Sequence, residues 1–121
     1  MNSLAIERHG TTRRYSDIVA HGQTVYLVEV PETLTADITA QTREVLASID
    51  RLLEKAGSDR TRLLMVTIYL SDMHDYAAMN QVWDDWVPEG CAPVRACVEA
   101  RLANPGYRVE MVVVAARGNE S

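Results

Sequence analysis

The segment APVRACVEARLANPGYRVEM, residues 92 to 111, predicts two β-strands joined by a turn at residues 104–106. Successive side chains of a strand point to opposite faces of a sheet. The first strand therefore places four polar side chains on one face: Arg95, Cys97, Glu99 and Arg101. Its other face is apolar: Val94, Ala96, Val98, Ala100 and Leu102. The second strand begins near Tyr107 and carries Arg108 and Glu110 on one face.

Length and composition limit the class of protein. A chain of 121 residues is long enough for one domain and too short for two, so we expect a single domain over residues 1–121. With 47% apolar and 24% charged residues the composition is that of a globular protein. The net charge is −5 and Lys55 is the only lysine, which argues against a nucleic-acid surface.

Cysteine and histidine placement predicts neither a disulfide nor a metal site. Cys91 and Cys97 are roughly 20 Å apart if the chain between them is extended, and His9, His21 and His74 are isolated. The N-terminus lacks the apolar core of a signal peptide, and no run of about 18 apolar residues suggests a membrane span. We therefore expect a cytoplasmic protein with reduced thiols and no bound metal.

The rest of the chain predicts three strands, a helix, a strand and a second helix. The early strands are expected at residues 4–8, 15–20 and 24–30. The first helix is predicted over 35–56, capped by Thr35 and followed by Gly57. LLMVTIYL at 63–70 is apolar on both faces, which predicts a central strand covered on both sides.

The second helix is predicted to start at Ser71 or Asp72 and to close at Gly90. Its apolar stripe consists of Tyr76, Met79, Trp83 and Trp86. The resulting order, β-β-β-α-β-α-β-β, predicts an α+β fold with one sheet and both helices on one face. The polar row of the quoted segment and the Arg108–Val114 strand would occupy the other face, which we expect to be a homo-oligomer interface.

Arg95 is the first candidate for binding chemistry. A guanidinium offers a planar fork that matches a carboxylate, so Arg95 could hold a small carboxylic acid. The alternative is a structural salt bridge to Glu99 or Glu110, and such pairs are common. Spacing alone favours the salt bridge.

Glu110, Cys97, Tyr15 and Asn80 are further candidates. Glu110 could hold a water or act as acid and base, or it could pair with Arg108 or Arg95. Cys97 is better read as a pocket wall than as an activated thiol, because no histidine lies near it in sequence. For Tyr15 and Asn80 a structural role is favoured from the residues alone.

The segment PVRACVEARLANPGYRVEM resembles the signature of the Rid (reactive intermediate deaminase) family, also called the YjgF family. That signature is a Pro-x-Arg strand, a short loop and a hydrophobic-Glu-hydrophobic triplet, here Val109-Glu110-Met111. Other pieces agree in order: Tyr15-Ser16, Gln41, VTIYLSDM, and YAAMNQVW with Asn80. The resemblance covers nearly the whole chain and is greatest to the YoaB-like branch.

The resemblance implies a chorismate-mutase-like α+β fold that assembles as a homotrimer with clefts between adjacent subunits. It implies cofactor-free hydrolysis of enamines and imines, such as 2-aminoacrylate and 2-iminopropanoate, to 2-keto acids and ammonia. In this sequence Arg95 would bind the substrate carboxylate and Glu110 would position or activate the water. Cys97 would line the pocket, Tyr15 would form a wall, and Asn80 occupies the family's helix position.

Val28-Glu29 departs from the family pattern, which has Ser-Gly or Thr-Gly at this place. If Glu29 points into the cleft, it would repel a carboxylate or pair with Arg95. If it faces solvent or a neighbouring subunit, it would not interfere. A trimeric protein that binds keto acids without turnover is therefore the alternative function. A nuclease or translation inhibitor, which some relatives are held to be, is disfavoured by the net charge.

Overall fold

The structure is a computed structural model that describes residues 5–118. Its strands are β1 (Ile6–His9), β2 (Ile18–His21), β3 (Thr24–Glu29), β4 (Leu63–Leu70), β5 (Val94–Glu99) and β6 (Val109–Ala116). Its helices are α1 (Ile38–Lys55) and α2 (Tyr76–Trp86). This is the element order that the sequence predicts.

The strands form one sheet in the order β1-β2-β3-β6-β4-β5. Neighbouring strands are antiparallel except β4 and β5, which are parallel. Parallel neighbours cannot be joined by a hairpin, and α2 supplies the crossover between them. The predicted α+β class, a single sheet with two helices, is confirmed.

The core lies between one sheet face and the two helices. The sheet supplies alternate residues of the neighbouring strands β4 and β6: Val66, Ile68, Leu70, Val109, Met111 and Val113. The helices supply one apolar stripe each, including Val45, Ile49, Leu53, Met79 and Trp83. Within residues 5–118, neither helix is long and apolar enough to cross a membrane.

The first two strands start later than predicted. Leu4 lies outside the described residues, and β1 runs from Ile6 to His9. Tyr15 is not part of β2, because the hydroxyl of Thr12 accepts hydrogen bonds from the amides of Arg14 and Tyr15, at 3.2 Å each. A side chain that bonds nearby amides in this way favours a turn over a strand.

Two predicted helix boundaries are wrong for identifiable reasons. Asp37, not Thr35, caps α1, because its carboxylate accepts the amide hydrogen of Ala40 at 2.9 Å. Gly57 does follow the helix, in the left-handed conformation at φ +84°. Asp72 caps a 3₁₀ turn that precedes α2, and α2 ends at Trp86, before Pro88 and well short of Gly90.

The second face of the sheet is open in one chain, so β4 is not covered on both sides as predicted. Val66, Ile68 and Leu70 are buried, but Met65 is 45% exposed on the other side. The register continues this apolar face across four strands. Its exposed members are Tyr26, Val28, Met65, Val94, Val98 and Val112.

β5 packs the opposite way round from the prediction. Arg95 and Cys97 lie beside Val66 and Ile68, which are buried under the helices. Val94 is 68% exposed, and with Val98 it lies on the open face. Alternation identifies which side chains share a face, but not which face the helices cover.

Candidate functional site

Arg95 is held by three side chains of α2. Its Nη1 donates a hydrogen bond to Oδ1 of Asn80 at 2.9 Å, and its Nη2 donates to Oη of Tyr76 at 3.2 Å. The guanidinium carbon lies 5.3 Å from the ring centre of Trp83 and 5.9 Å from that of Tyr76. Residues at this spacing share one face of a helix, so α2 presents a single cradle to the arginine.

The charge of Arg95 has no acidic partner in the part of the chain that the structure describes. Glu99, one predicted partner, instead accepts the amide hydrogen of Met73 at 2.8 Å. Glu110, the other, lies on the opposite face of the sheet. The salt-bridge alternative is therefore wrong within one chain. The neutral groups around Arg95 orient the guanidinium and leave its charge uncompensated, which suits an anionic ligand.

Cys97 follows Arg95 on the same face and packs against the core. Burial raises the pKa of the Cys97 thiol, and the positive charge of Arg95 opposes this shift only in part. A thiol with a raised pKa is protonated at neutral pH and is a poor nucleophile. This agrees with its interpretation as a wall of the site.

A second group of predicted residues surrounds a cavity of about 390 Å³. The cavity lies where the chain enters β2, leaves β3 and enters β6. Its wall includes Tyr15, Asp17, Val28, Glu29, Tyr107 and Glu110. Three of the predicted site residues, Tyr15, Glu29 and Glu110, are therefore brought together.

Glu110 lies on the open face, opposite Tyr69 in the register between β6 and β4. Arg108, the alternative partner predicted for it, points elsewhere, and its Nη1 lies 3.3 Å from the carboxylate of Asp75. Arg108 precedes β6, so the expectation that it shares a strand face with Glu110 is wrong. No described residue makes an ion pair with Glu110, and its carboxylate is available at the cavity wall.

Glu29 lies beside Met111 in the register, and Met111 is buried under the helices. The alternation of β3 thus directs the Glu29 side chain toward the helix side, away from the face of Glu110. Burial raises the pKa of Glu29 and the charge of Asp17 adds to the rise, whereas the Val30 amide and Arg51 lower it. Two strands separate β3 from β5, so Glu29 does not pair with Arg95 of its own chain.

The two groups of residues point to opposite faces of the sheet. Arg95 pairs in register with Val66, on the helix side, while Glu110 pairs with Tyr69, on the open side. β4 lies between β5 and β6, and neighbouring strands are about 4.8 Å apart. Arg95 and Glu110 of one chain therefore cannot contact the same small molecule.

Three side chains at these sites were not predicted as functional. Tyr76 and Trp83 were assigned to the core stripe of the second helix, and Tyr107 was only the start of a strand. The spacing of Tyr76, Asn80 and Trp83 on one helix face was the available signal. Nothing in the local sequence indicated that this face meets Arg95. Among the described residues, His, Cys, Asp and Glu form no group of three or more that could hold a metal ion.

Comparison with known proteins gives consistent matches over most of the chain. The family model described as Endoribonuclease L-PSP matches residues 5–117. The RutC family protein YoaB of Escherichia coli (strain K12) is 50% identical over 113 residues, which is 93% of this chain and 99% of that protein. A RutC family protein of Haemophilus ducreyi is 44% identical over 112 residues, covering 92% and 96% of the two chains.

Solved structures agree with the fold. A member of the YjgF protein family from Neisseria meningitidis superposes with a TM-score of 0.94 at 47% identity, covering 98% of this chain and 99% of that one. A protein from Pseudomonas aeruginosa superposes with a TM-score of 0.91 at 50% identity, covering 94% and 100%.

Proposed function

Because the chain belongs to the YjgF/Rid family, in which the YoaB proteins are its close relatives, we propose that it hydrolyses reactive enamines and imines. The substrates are of the 2-aminoacrylate and 2-iminopropanoate type, and the products are 2-keto acids and ammonia. The single observation that carries this proposal is Arg95, a positive charge oriented by neutral neighbours and lacking an acidic partner among residues 5–118. Such a group suits the carboxylate common to all these substrates.

The opposite placement of Arg95 and Glu110 supports an assembly of several chains. We propose a homotrimer in which the Arg95 side of one subunit faces the Glu110 side of the next, so that each cleft takes residues from two chains. The exposed apolar face, which extends across the sheet from Tyr26 on β3 to Val98 on β5, provides a surface for such an assembly. Contiguous apolar surface of this kind is typical of interfaces between subunits.

The chemistry is hydrolysis of a carbon–nitrogen double bond. Arg95 holds the carboxylate, with Cys97 and Tyr15 as walls, while Glu110 accepts a proton from a water whose oxygen bonds to C2. The proton passes to the nitrogen and gives a carbinolamine. The hydroxyl proton of the carbinolamine then moves to the nitrogen through Glu110, the C–N bond breaks, and ammonia leaves as the C2 carbonyl of the keto acid forms. An enamine substrate first becomes the imine by transfer of a proton from its nitrogen to C3. An imine carbon is already electrophilic, so positioning of the water and substrate accounts for most of the acceleration. No cofactor is needed in this scheme.

The proposal is tested by a coupled assay in which a dehydratase generates 2-iminopropanoate and the decay of the imine is followed. We expect the protein to accelerate the decay and Arg95→Ala to abolish the acceleration. The matched control is Arg43→Ala, which removes an exposed arginine of α1 that neither holds Arg95 nor lines the 390 Å³ cavity. Decay at the buffer rate, or an Arg95→Ala variant as fast as the wild type, would rule the deaminase out.

Assembly is tested separately by sedimentation velocity. We expect a species of three times the chain mass of 13.5 kDa, and we expect Val112→Glu, on the open face, to dissociate it. A charge buried without a partner at an interface is strongly unfavourable, so one substitution is sufficient. A wild-type protein that sediments as a monomer at micromolar concentration would contradict the trimer.

The alternative function is a trimeric protein that binds small keto acids without turnover. It is favoured by Glu29, a larger and acidic residue that lines the cavity where the family usually has glycine. Calorimetric titration with 2-ketobutyrate distinguishes the two: binding without deaminase activity supports the alternative, and absence of binding removes it. RNA cleavage, which the description of the family model names, is not expected of a chain with net charge −5 and one lysine.

A further inference from the structure

Gln41, near the start of α1, is completely buried and uses its amide in three directions. Its Nε2 donates hydrogen bonds to the carbonyl oxygens of Thr33 at 3.1 Å and Gly106 at 2.9 Å. Its Oε1 accepts the amide hydrogen of Arg108 at 2.8 Å. The side chain thus joins the segment after β3 to the segment before β6.

The two bonds to Gly106 and Arg108 enclose Tyr107, which forms part of the wall of the 390 Å³ cavity together with Glu110. Thr33 lies three residues after Val30 in sequence, and Val28, Glu29 and Val30 also line this cavity. The amide of Gln41 therefore links Tyr107 on the cavity wall to the segment that continues from Val30.

The contact between the two segments is tight at Gly106. A Cβ atom added there would lie 2.7 Å from Cβ of Leu34, closer than such atoms approach each other. Glycine allows the main chains to meet, and Gln41 then satisfies the polar groups that this approach buries. The segment after β3 and the segment before β6 are therefore held together by both hydrogen bonds and close packing.

We infer that Gln41 is a positioning residue that sets the placement of Tyr107, and with it the Glu110 side of the site. The inference rests on the proposed function, since it assigns a role in the same cavity. Loss of the amide removes the hydrogen bonds of the Gly106 carbonyl and the Arg108 N–H, and leaves the Thr33 carbonyl with only its bond from the Ala36 N–H. The segment that contains Tyr107 is then no longer held to α1 by these bonds. A displacement of about 1 Å at a reacting group lowers the rate by roughly 100-fold.

The test compares Gln41→Met with Ser58→Ala. Methionine matches glutamine in length and helix propensity but cannot form the three hydrogen bonds. Ser58 is also buried, and its hydroxyl donates to the carbonyl of Ala116 at 2.6 Å. Ala116 ends β6, roughly 20 Å along the strand from Glu110, so this control loses a buried bond remote from the cavity.

We expect Gln41→Met to lower kcat/KM in the deaminase assay by about 10- to 100-fold, and Ser58→Ala to change it less than twofold. Amide hydrogen exchange supplies a readout that does not depend on activity. Exchange at Tyr107 and Arg108 should accelerate in Gln41→Met and remain at the wild-type rate in Ser58→Ala. If Gln41→Met does not fold, Gln41→Asn, which keeps an uncharged amide on a shorter side chain, should fold and show an intermediate loss.

Failure of the inference is distinguishable from failure of the proposed function. An active wild type whose Gln41 variants match Ser58→Ala in kinetics and exchange overturns the inference and leaves the deaminase intact. If the wild type binds 2-ketobutyrate without turnover, loss of affinity in Gln41→Met alone supports the inference, and equal affinity overturns it. A wild type that neither turns over imine nor binds keto acid overturns both.

Discussion

Arg95 and Glu110 point to opposite faces of the same sheet, although both belong to the segment that carries the family signature. Arg95 faces α2 and donates hydrogen bonds to side chains of that helix, while Glu110 faces the open side with Tyr69. If both act on one substrate, they must come from different subunits. This relationship leads to a direct experiment.

Mixed oligomers should recover activity that neither parent has. Arg95→Ala and Glu110→Gln are each expected to be inactive as pure proteins. If equal amounts of the two variants assemble at random into rings, about a quarter of the clefts combine the intact Arg95 of one chain with the intact Glu110 of its neighbour. The measurement is deaminase activity after unfolding and refolding the two variants together. Activity no greater than the sum of the parents would show that the two groups do not share a cleft.

Asn80→Asp should fold but bind carboxylates poorly. The substitution keeps the size of the side chain and places a negative charge 2.9 Å from Nη1 of Arg95. The new carboxylate pairs with the guanidinium of Arg95 and competes with the carboxylate of the substrate. We therefore expect KM for the imine to rise about tenfold or more, with little change in melting temperature. Steady-state kinetics and thermal unfolding check both parts. Asn80→Ala is the control, because it removes the hydrogen bond without adding the charge and should raise KM less.

Thr42→Val should stabilise the protein. Thr42 is completely buried on α1, and its hydroxyl finds no hydrogen-bond partner among the described residues. Replacing an unpartnered hydroxyl with a methyl group of similar size should raise the free energy of unfolding by about 1 kcal/mol. Denaturant unfolding at one fixed protein concentration measures the change.

Ser58→Ala provides the opposite case, because its hydroxyl is partnered. Its loss should lower the free energy of unfolding by about 1 kcal/mol. If Thr42→Val and Ser58→Ala change the free energy of unfolding in the same direction and by the same amount, the hydrogen bond of the hydroxyl does not determine the outcome.

Glu29→Gln should change the dependence of stability on pH. Burial raises the pKa of Glu29 above its ordinary value near 4.5, so the folded state binds this proton more tightly than the unfolded state does. The stabilisation is present in acid and is lost as pH rises through the raised pKa. The uncharged glutamine removes this loss, so the variant should be more stable than the wild type at pH 7 and similar to it near pH 4. A constant difference between the two proteins across this range would contradict the assignment.

Much of the fold was accessible from local patterns. The period of three to four residues identified α1, and the β-branched and aromatic residues of TVYLVE identified β3. The predicted boundaries were wrong where a nearby side chain forms a hydrogen bond with the main chain. Asp37, not Thr35, caps α1, and the hydroxyl of Thr12 holds Tyr15 in a turn. Such boundaries depend on small differences between neighbouring hydrogen bonds, which periodicity does not register.

The amino-acid order was sufficient for the sequence of elements, the family and the identities of Arg95 and Glu110 as residues of interest. It was not sufficient for their arrangement. The alternation of polar and apolar residues in a strand does not determine which of its faces packs against the helices. In β5 that choice follows from its parallel pairing with β4 and from the position of α2. Gln41 and Gly106 lie 65 positions apart, and only the packed fold brings them together. The period of a strand is a local property, whereas the choice of face is made by all the elements that pack at once.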